Sequence, residues 1–253
     1  MLVGNSNLDS CKEDVYRMEK LFLQIFKNQI TFPIKYSDYL LATEKSFSAI
    51  LKNDIELHIV KKFNVYVLDA LKDFISSIPN LCSDDLLYIH YSGHGILVGK
   101  KINGKIEMIS TWENDNNDKS NNNHKNYNNY KNYQKENKDE IKKSTYSYEV
   151  DFLLSGLKCQ IMLVSDSCHS EAFGKFYNGK SPFLFIGSSS IVNLSREYSI
   201  NGKPNAGALT NFFEYCFDHK KLNYNLDILK KELEEFFRKY SIKHKPIVKS
   251  YNI

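Results

Sequence analysis

The sequence predicts an α/β fold, a largely parallel sheet with helices on both faces. Two observations carry that reading. Short continuous apolar runs, above all at residues 86–91 and 160–164, have the length and composition of strands buried on both sides. Between such runs lie longer segments whose apolar residues recur at helical spacing. A chain of 253 residues, 42% of them apolar, is ample for the core that such a sheet needs.

Each element can be justified in order. Residues 1–4 form a short apolar strand. Residues 14–27 place Val15, Met18, Leu21, Phe22, Ile25 and Phe26 on one helical face. Residues 30–36 read as a strand, and 42–62 as a helix and loop inserted into the basic plan. Asn64 is placed to cap a helix bearing Val67, Leu68, Leu71, Phe74, Ile75 and Ile78, which Pro79-Asn80 stops. The strand at 86–91 runs into Ser92-Gly93-His94-Gly95. Residues 114–137 are mostly Asn, Lys, Asp and Tyr with no apolar period. Residues 113–140 are therefore expected to be a disordered insertion within one domain spanning 1–253. A helix at 147–157 precedes the strand at 160–164, which ends in Ser165-Asp166-Ser167-Cys168. A buried strand at 183–186, helices at 209–219 and 226–240, and a closing strand at 246–251 complete the chain.

Composition excludes several classes. Aromatic residues at 13% rule out wholesale disorder. A net charge of +4, with no clustered basic face, is too weak to indicate nucleic acid. Lys and Tyr do interleave through residues 125–143, a pattern that suits single strands. Acids are mixed in, however, and low-complexity drift yields the same composition, so no nucleic-acid partner is expected. No apolar run approaches the ~18–20 residues of a membrane span. The first residues show neither the basic region nor the apolar stretch of a secretory signal. The expected location is cytoplasmic, with no membrane partner. Five scattered cysteines without a close pair read as reduced thiols, not a disulfide framework or zinc module. Cys82, Cys159 and Cys216 are expected to be small core side chains.

In parallel sheets, sites lie beyond the carboxyl ends of the strands. Two strand ends here carry His94 and Cys168. With the strands adjacent, the imidazole faces the thiol and can generate the nucleophilic thiolate. Glycines flanking His94 let the backbone turn sharply and approach a substrate. The amides of Gly95 and Cys168 are placed to donate to an oxyanion, where one donor is worth ~3–4 kcal/mol. His169 is a rival base, but adjacent residues on a strand point to opposite faces, which favours His94. A metal site from His90, His94, Cys168 and His169 is disfavoured by their strand and glycine-turn contexts.

Tyr91-Ser92-Gly93-His94-Gly95, followed about 70 residues later by Asp166-Ser167-Cys168-His169-Ser170, resembles the caspase-like cysteine peptidases, and metacaspases most closely. The Gln-Ala-Cys-Arg-Gly of true caspases is absent. Val3-Gly4-Asn5-Ser6-Asn7, Ser195-Arg196-Glu197, Gly207-Ala208-Leu209-Thr210 and Lys245-Pro246-Ile247 are similar to further family segments, so the resemblance covers nearly the whole chain. It implies a caspase-like three-layer α/β/α sandwich with a mostly parallel six-stranded sheet. It implies a cysteine endopeptidase that hydrolyses bonds after Arg or Lys through a Cys168–His94 dyad and a thioester. It also implies a P1 pocket drawn from Cys11, Asp14, Ser92 and Asp166. A cationic side chain there needs carboxylates to offset its lost hydration. Taken singly, Asp14 reads equally well as a charge at the start of the first helix, and Asp166 as a strand-end group. Peptide substrates, a monomeric state, roles in programmed cell death or stress, and no cofactor for the chemistry itself complete what the resemblance implies.

The pattern breaks in three places. The family's calcium site uses several aspartates. Here Glu113, Asp115, Asp118 and the stretch Tyr148-Glu149-Val150-Asp151 stand in their place, and no set of six to eight oxygens assembles. Calcium activation therefore does not carry over on resemblance alone. Glu171 replaces a family glycine, and a carboxylate beside Cys168 would blunt the thiol. That motivates an alternative, a catalytically weakened or inactive caspase-like regulatory or scaffold module. The family's first strand also begins slightly earlier, often behind a prodomain. Lys175, Lys180 and Lys142-Lys143 are exposed-loop candidates for self-cleavage.

Overall fold

Six strands of short, β-favouring sequence pair into a central sheet. The computed structural model describes residues 1–4, 8–29, 35–38, 45–50, 56–63, 65–78, 81–102, 104–112, 144–219 and 225–253. In spatial order the strands are β14 (Ile247–Tyr251), β11 (Phe183–Gly187), β10 (Gln160–Asp166), β6 (Leu86–Ser92), β1 (Leu2–Gly4) and β5 (Lys61–Phe63). All neighbours are parallel except β14, which runs antiparallel to β11.

Alternation along the strands builds two cores. Leu2, Val164 and Ile186 face one side, and Val3, Leu163 and Phe185 the other. On the first side pack α1 (Asp9–Phe26), α4 (Ala208–Asp218) and α5 (Leu226–Lys239), through Val15, Met18, Phe212 and Phe236. On the second pack α2 (Val67–Ser77) and α3 (Ser147–Ser155), through Leu71, Phe74, Val150 and Leu154. Each such fully buried side chain stabilises the fold by about 1.5–3 kcal/mol. The result is a three-layer α/β/α arrangement with both sheet faces covered. That is why β6 and β10 read as unbroken apolar runs.

Several expectations need correction. Residues 42–62 are not a helix and loop. They contain β3 (Lys45–Ile50), β4 (Glu56–Ile59) and β5. With β2 (Lys35–Asp38), the first two form an antiparallel meander in which Phe47 opposes Ile59 and Ala49 opposes Leu57. Apolar residues at every second position were the strand signal. The first helix starts at Asp9, so Asp14 lies in its second turn and caps nothing. Cys159 and Cys216 are buried as expected, but Cys82 is exposed in the turn before β6, where its amide donates to the Asp85 carboxylate at 2.7 Å. An unanticipated hairpin, β7 (Gly95–Ile102) and β8 (Lys105–Trp112), follows His94 and pairs with β9 (Thr145–Tyr146). The Asn-Gly dipeptide at 103–104 was its sequence signal; Ile102 pairs with Lys105, and Gly104 has φ +83°. Residues 30–34, Asn64, Pro79-Asn80 and 113–140 lie outside the described residues. Among the described residues, no helix is long and apolar enough to cross a membrane.

Candidate functional site

The carboxyl ends of β6 and β10 stop side by side, with Ser92 opposite Asp166. Beyond them opens a cleft of about 340 Å³ that His94, Ser167 and Cys168 line. Its far wall is the segment 195–197 with β12 (Glu197–Tyr198) and β13 (Ala206–Gly207), a short antiparallel pair leading straight into α4. The sequence positions expected to act together therefore meet. Parallel pairing of two strands distant in sequence brings them to one edge.

His94 is exposed at the rim and Cys168 is half-buried. The Cys168 thiol donates to the Ser195 carbonyl at 3.6 Å, which turns the sulfur along the cleft wall. Gly95 begins β7 directly against Cys168. A Cβ there would overlap the Cys168 carbonyl oxygen, so only glycine allows the approach. The two residues expected to supply oxyanion donors are thus neighbours in space. His169 is placed differently. It adopts a left-handed backbone (φ 56°), and its Nδ1 pairs with the Ile191 carbonyl at 2.7 Å. It is not among the residues lining the cleft.

The cleft floor is acidic. Cys11, Asp14, Ser92 and Asp166 all line it, and Asp14 and Asp166 are only 1% and 6% exposed. Asp14 accepts from the Ser92 hydroxyl at 2.5 Å and from the Gly207 amide at 3.0 and 3.1 Å. Asp166 accepts from the amides of Leu209 (2.8 Å) and Thr210 (3.4 Å) in the first turn of α4, and from Ser195 Oγ at 3.5 Å. Helix N-terminal amides favour a carboxylate there. The two side chains share the space over Gly207, where a Cβ would overlap one Asp166 oxygen and sit 3.0 Å from Asp14 Oδ2. Among the described residues, neither forms an ion pair. Burial raises the Asp14 carboxyl above the ordinary range, and the Asp166 charge raises it further. Burial also raises Asp166, against its amide donors. His90 lies beneath, between Tyr88 OH (3.0 Å) and Thr210 Oγ1 (3.5 Å). Burial holds its pKa down at about 3, so it supplies no compensating charge. Burial similarly pushes the Cys11 thiol up to about 12, which keeps it protonated.

The Glu171 carboxylate accepts the Ile191 amide at 2.8 Å, tying the loop after Cys168 to the loop after β11. Asp151 is fully buried and accepts the amides of Gly174 (2.8 Å) and Phe176 (2.9 Å), so its oxygens shape the chain after Cys168. Glu149 closes the first turn of α3 on the Tyr146 amide at 3.1 Å. Among the described residues, no three His, Cys, Asp or Glu side chains are grouped to hold a metal, and these donors do not fit calcium. Glu113, Asp115 and Asp118 lie outside the described residues. Lys175, one of the lysines considered for self-cleavage, pairs with Glu107 of β8 at 2.6 Å.

Sequence reasoning missed the residues that brace this site. Asn211 of α4 donates to the carbonyls of Tyr198 (3.0 Å), Ala206 (3.2 Å) and Gly207 (3.1 Å), and accepts from Arg17 at 2.8 Å, fixing the far wall. Trp112 lies behind the nucleophile, where its indole N–H donates to Ser165 Oγ at 3.0 Å. Its being the single tryptophan, at the end of a strand opposite Gly95, was the available signal.

No protein-family model matches this chain, and no curated protein does. Among solved structures, the crystal structure of protein GSU0716 from Geobacter sulfurreducens is similar, with a TM-score of 0.55 over 98% of this chain and 91% of that one. At 14% identity the likeness shows the fold alone.

Proposed function

We propose that this chain is a caspase-like, metacaspase-type cysteine endopeptidase that cuts peptide bonds after Arg or Lys. One observation carries the substrate side of that reading. Two buried carboxylates, which form no ion pair among the described residues, make the floor of the cleft that Cys168 and His94 line. Such a pair is costly to keep ionised unless a guanidinium or ammonium enters. A basic P1 side chain supplies that charge and donates hydrogen bonds to Asp14 and Asp166, while Ser92 and Gly207 hold the acceptors in place.

The chemistry follows from the same geometry. His94 takes the Cys168 proton, and the thiolate attacks the scissile carbonyl carbon. The amides of Gly95 and Cys168 donate to the oxygen as it gains charge. The C–N bond then breaks, and His94 returns the proton to the leaving amine. A water activated by His94 hydrolyses the thioester, freeing the acid and restoring the thiol. Glu171 and His169 are both engaged elsewhere, and neither is needed in these steps.

The test is cleavage of matched fluorogenic peptides ending in Arg, Lys or Asp, by wild type and Cys168→Ala, each with calcium and with chelator. Arg and Lys cleavage lost in Cys168→Ala is expected. Cleavage after Asp would overturn the pocket assignment. Absence of cleavage by a folded protein would favour the non-catalytic module.

A further inference from the structure

We infer that Tyr91 and Trp112 are positioning residues that set His94 and Cys168 in register with each other. The inference rests on the peptidase reading above and concerns how its two reacting groups are held. His94 sits on an exposed turn, and Cys168 on a separate loop. Neither strand end alone fixes the distance between them.

A single aromatic stack joins the two. Trp112 is fully buried, with the ring of Tyr91 on one face at 4.5 Å and that of Phe173 on the other at 4.3 Å, both within 18° of parallel. Tyr91 ends this stack on the His94 side, where its hydroxyl donates to the His94 carbonyl at 2.9 Å. Phe173 lies five residues after Cys168 and carries the stack to the Cys168 side, where its ring also stacks on that of Phe185 in the sheet. The indole N–H reaches the same loop by a second route. It donates to Ser165 Oγ, which pairs at 2.9 Å with Ser167 Oγ, the residue before Cys168. The backbone gives a third link, since Trp112 pairs across the hairpin with Gly95, whose Cα packs on the Cys168 carbonyl. A rigid buried ring with hydrogen bonds leading both ways transmits position, because well-packed aromatics have little room to shift. The rings of Tyr91, Trp112 and Phe173 do not line the cleft, so the device acts on the reacting pair and not on P1 binding.

The test uses Tyr91→Phe, which keeps the stack and removes only the hydroxyl, and Trp112→Phe, which keeps a ring and removes the indole donor. The rate of Cys168 alkylation by iodoacetamide is followed against pH in a Cys82→Ser background, because Cys82 is the other accessible thiol. Wild type is expected to give a pH profile set by the Cys168–His94 pair. In Tyr91→Phe the profile moves to higher pH, and kcat for an Arg peptide falls roughly tenfold with KM within about twofold, the scale of one lost hydrogen bond. Trp112→Phe shifts the profile in the same direction. A purely structural role would lower the melting temperature and leave the pH profile in place. Variant profiles that superimpose on wild type would overturn this inference and leave the peptidase reading standing. Failure of the folded wild type to cleave the Arg peptide would overturn both.

Discussion

Gly207→Ala probes the acidic floor without touching a charged side chain. Gly207 has φ −60° and ψ 154°, a region open to any residue, so the backbone tolerates alanine. Space does not. The new Cβ overlaps Asp166 Oδ2 and lies 3.0 Å from Asp14 Oδ2. The Asp166 carboxylate has to move by about 1 Å to restore van der Waals contact. It then loses the 2.8 Å bond from the Leu209 amide, which otherwise aims it at the cleft. A hydrogen bond to a charged acceptor is worth about 1.5–3 kcal/mol, which converts to a loss in kcat/KM of roughly 10- to 150-fold. The loss should appear mainly in KM, because the nucleophile loop is untouched. The assay is steady-state cleavage of an Arg-ending fluorogenic peptide, with Cys168 alkylation and thermal unfolding as controls. A folded variant with kcat/KM within about twofold of wild type would refute the role given to the carboxylate pair. Equal losses in cleavage and alkylation would show general disruption instead of lost recognition.

Three further outcomes follow from the site. His94→Ala should lower kcat at least 100-fold, on the scale of about 10²–10⁴ for a general base. His169→Asn, which suits the left-handed backbone, should stay within about tenfold; the opposite ranking of the two variants would reassign the base. Asp14→Asn should flatten the pH dependence of stability. Raised native carboxyl values mean that the unfolded chain ionises first as pH climbs past about 4, so ligand-free wild type loses stability until its own raised values are passed. Urea midpoints at pH 5 and pH 8 measure this, and an equally steep decline in the variant would contradict the buried-pair argument. Glu171→Gln should leave the alkylation rate of Cys168 within about twofold, because the carboxylate serves the Ile191 amide; a clear rate increase would show that its charge does reach the thiol.

Much of this architecture was legible because it rests on local patterns. Buried parallel strands leave continuous apolar runs, and amphipathic helices leave a 3.6-residue period, so β6, β10, β11, α4 and α5 were found within a few residues. Strands β3 and β4 are hard to read because short alternating segments carry weak periodicity. The hairpin β7–β8 leaves only an Asn-Gly dipeptide at 103–104 as its sequence signal, and β7 follows His94 with no polar break to mark its start.

The sequence by itself supplied the side chains of the proposed chemistry. A thiol and an imidazole at two strand ends, with Asp14, Ser92 and Asp166 nearby in the motifs, are matters of residue identity and spacing. Only the tertiary structure decided their arrangement. It turned His169 and Glu171 onto the loop after β11, spent Asp151 on two backbone amides, and left Asp14 and Asp166 together over Gly207 with no ion pair among the described residues. It also set Trp112 between the rings of Tyr91 and Phe173, behind the nucleophile. Orientation, burial and hydrogen-bond partners come from chain segments 20 residues apart, as when Glu171 meets Ile191, to 193 apart, as when Gly207 meets Asp14, and no local pattern encodes them.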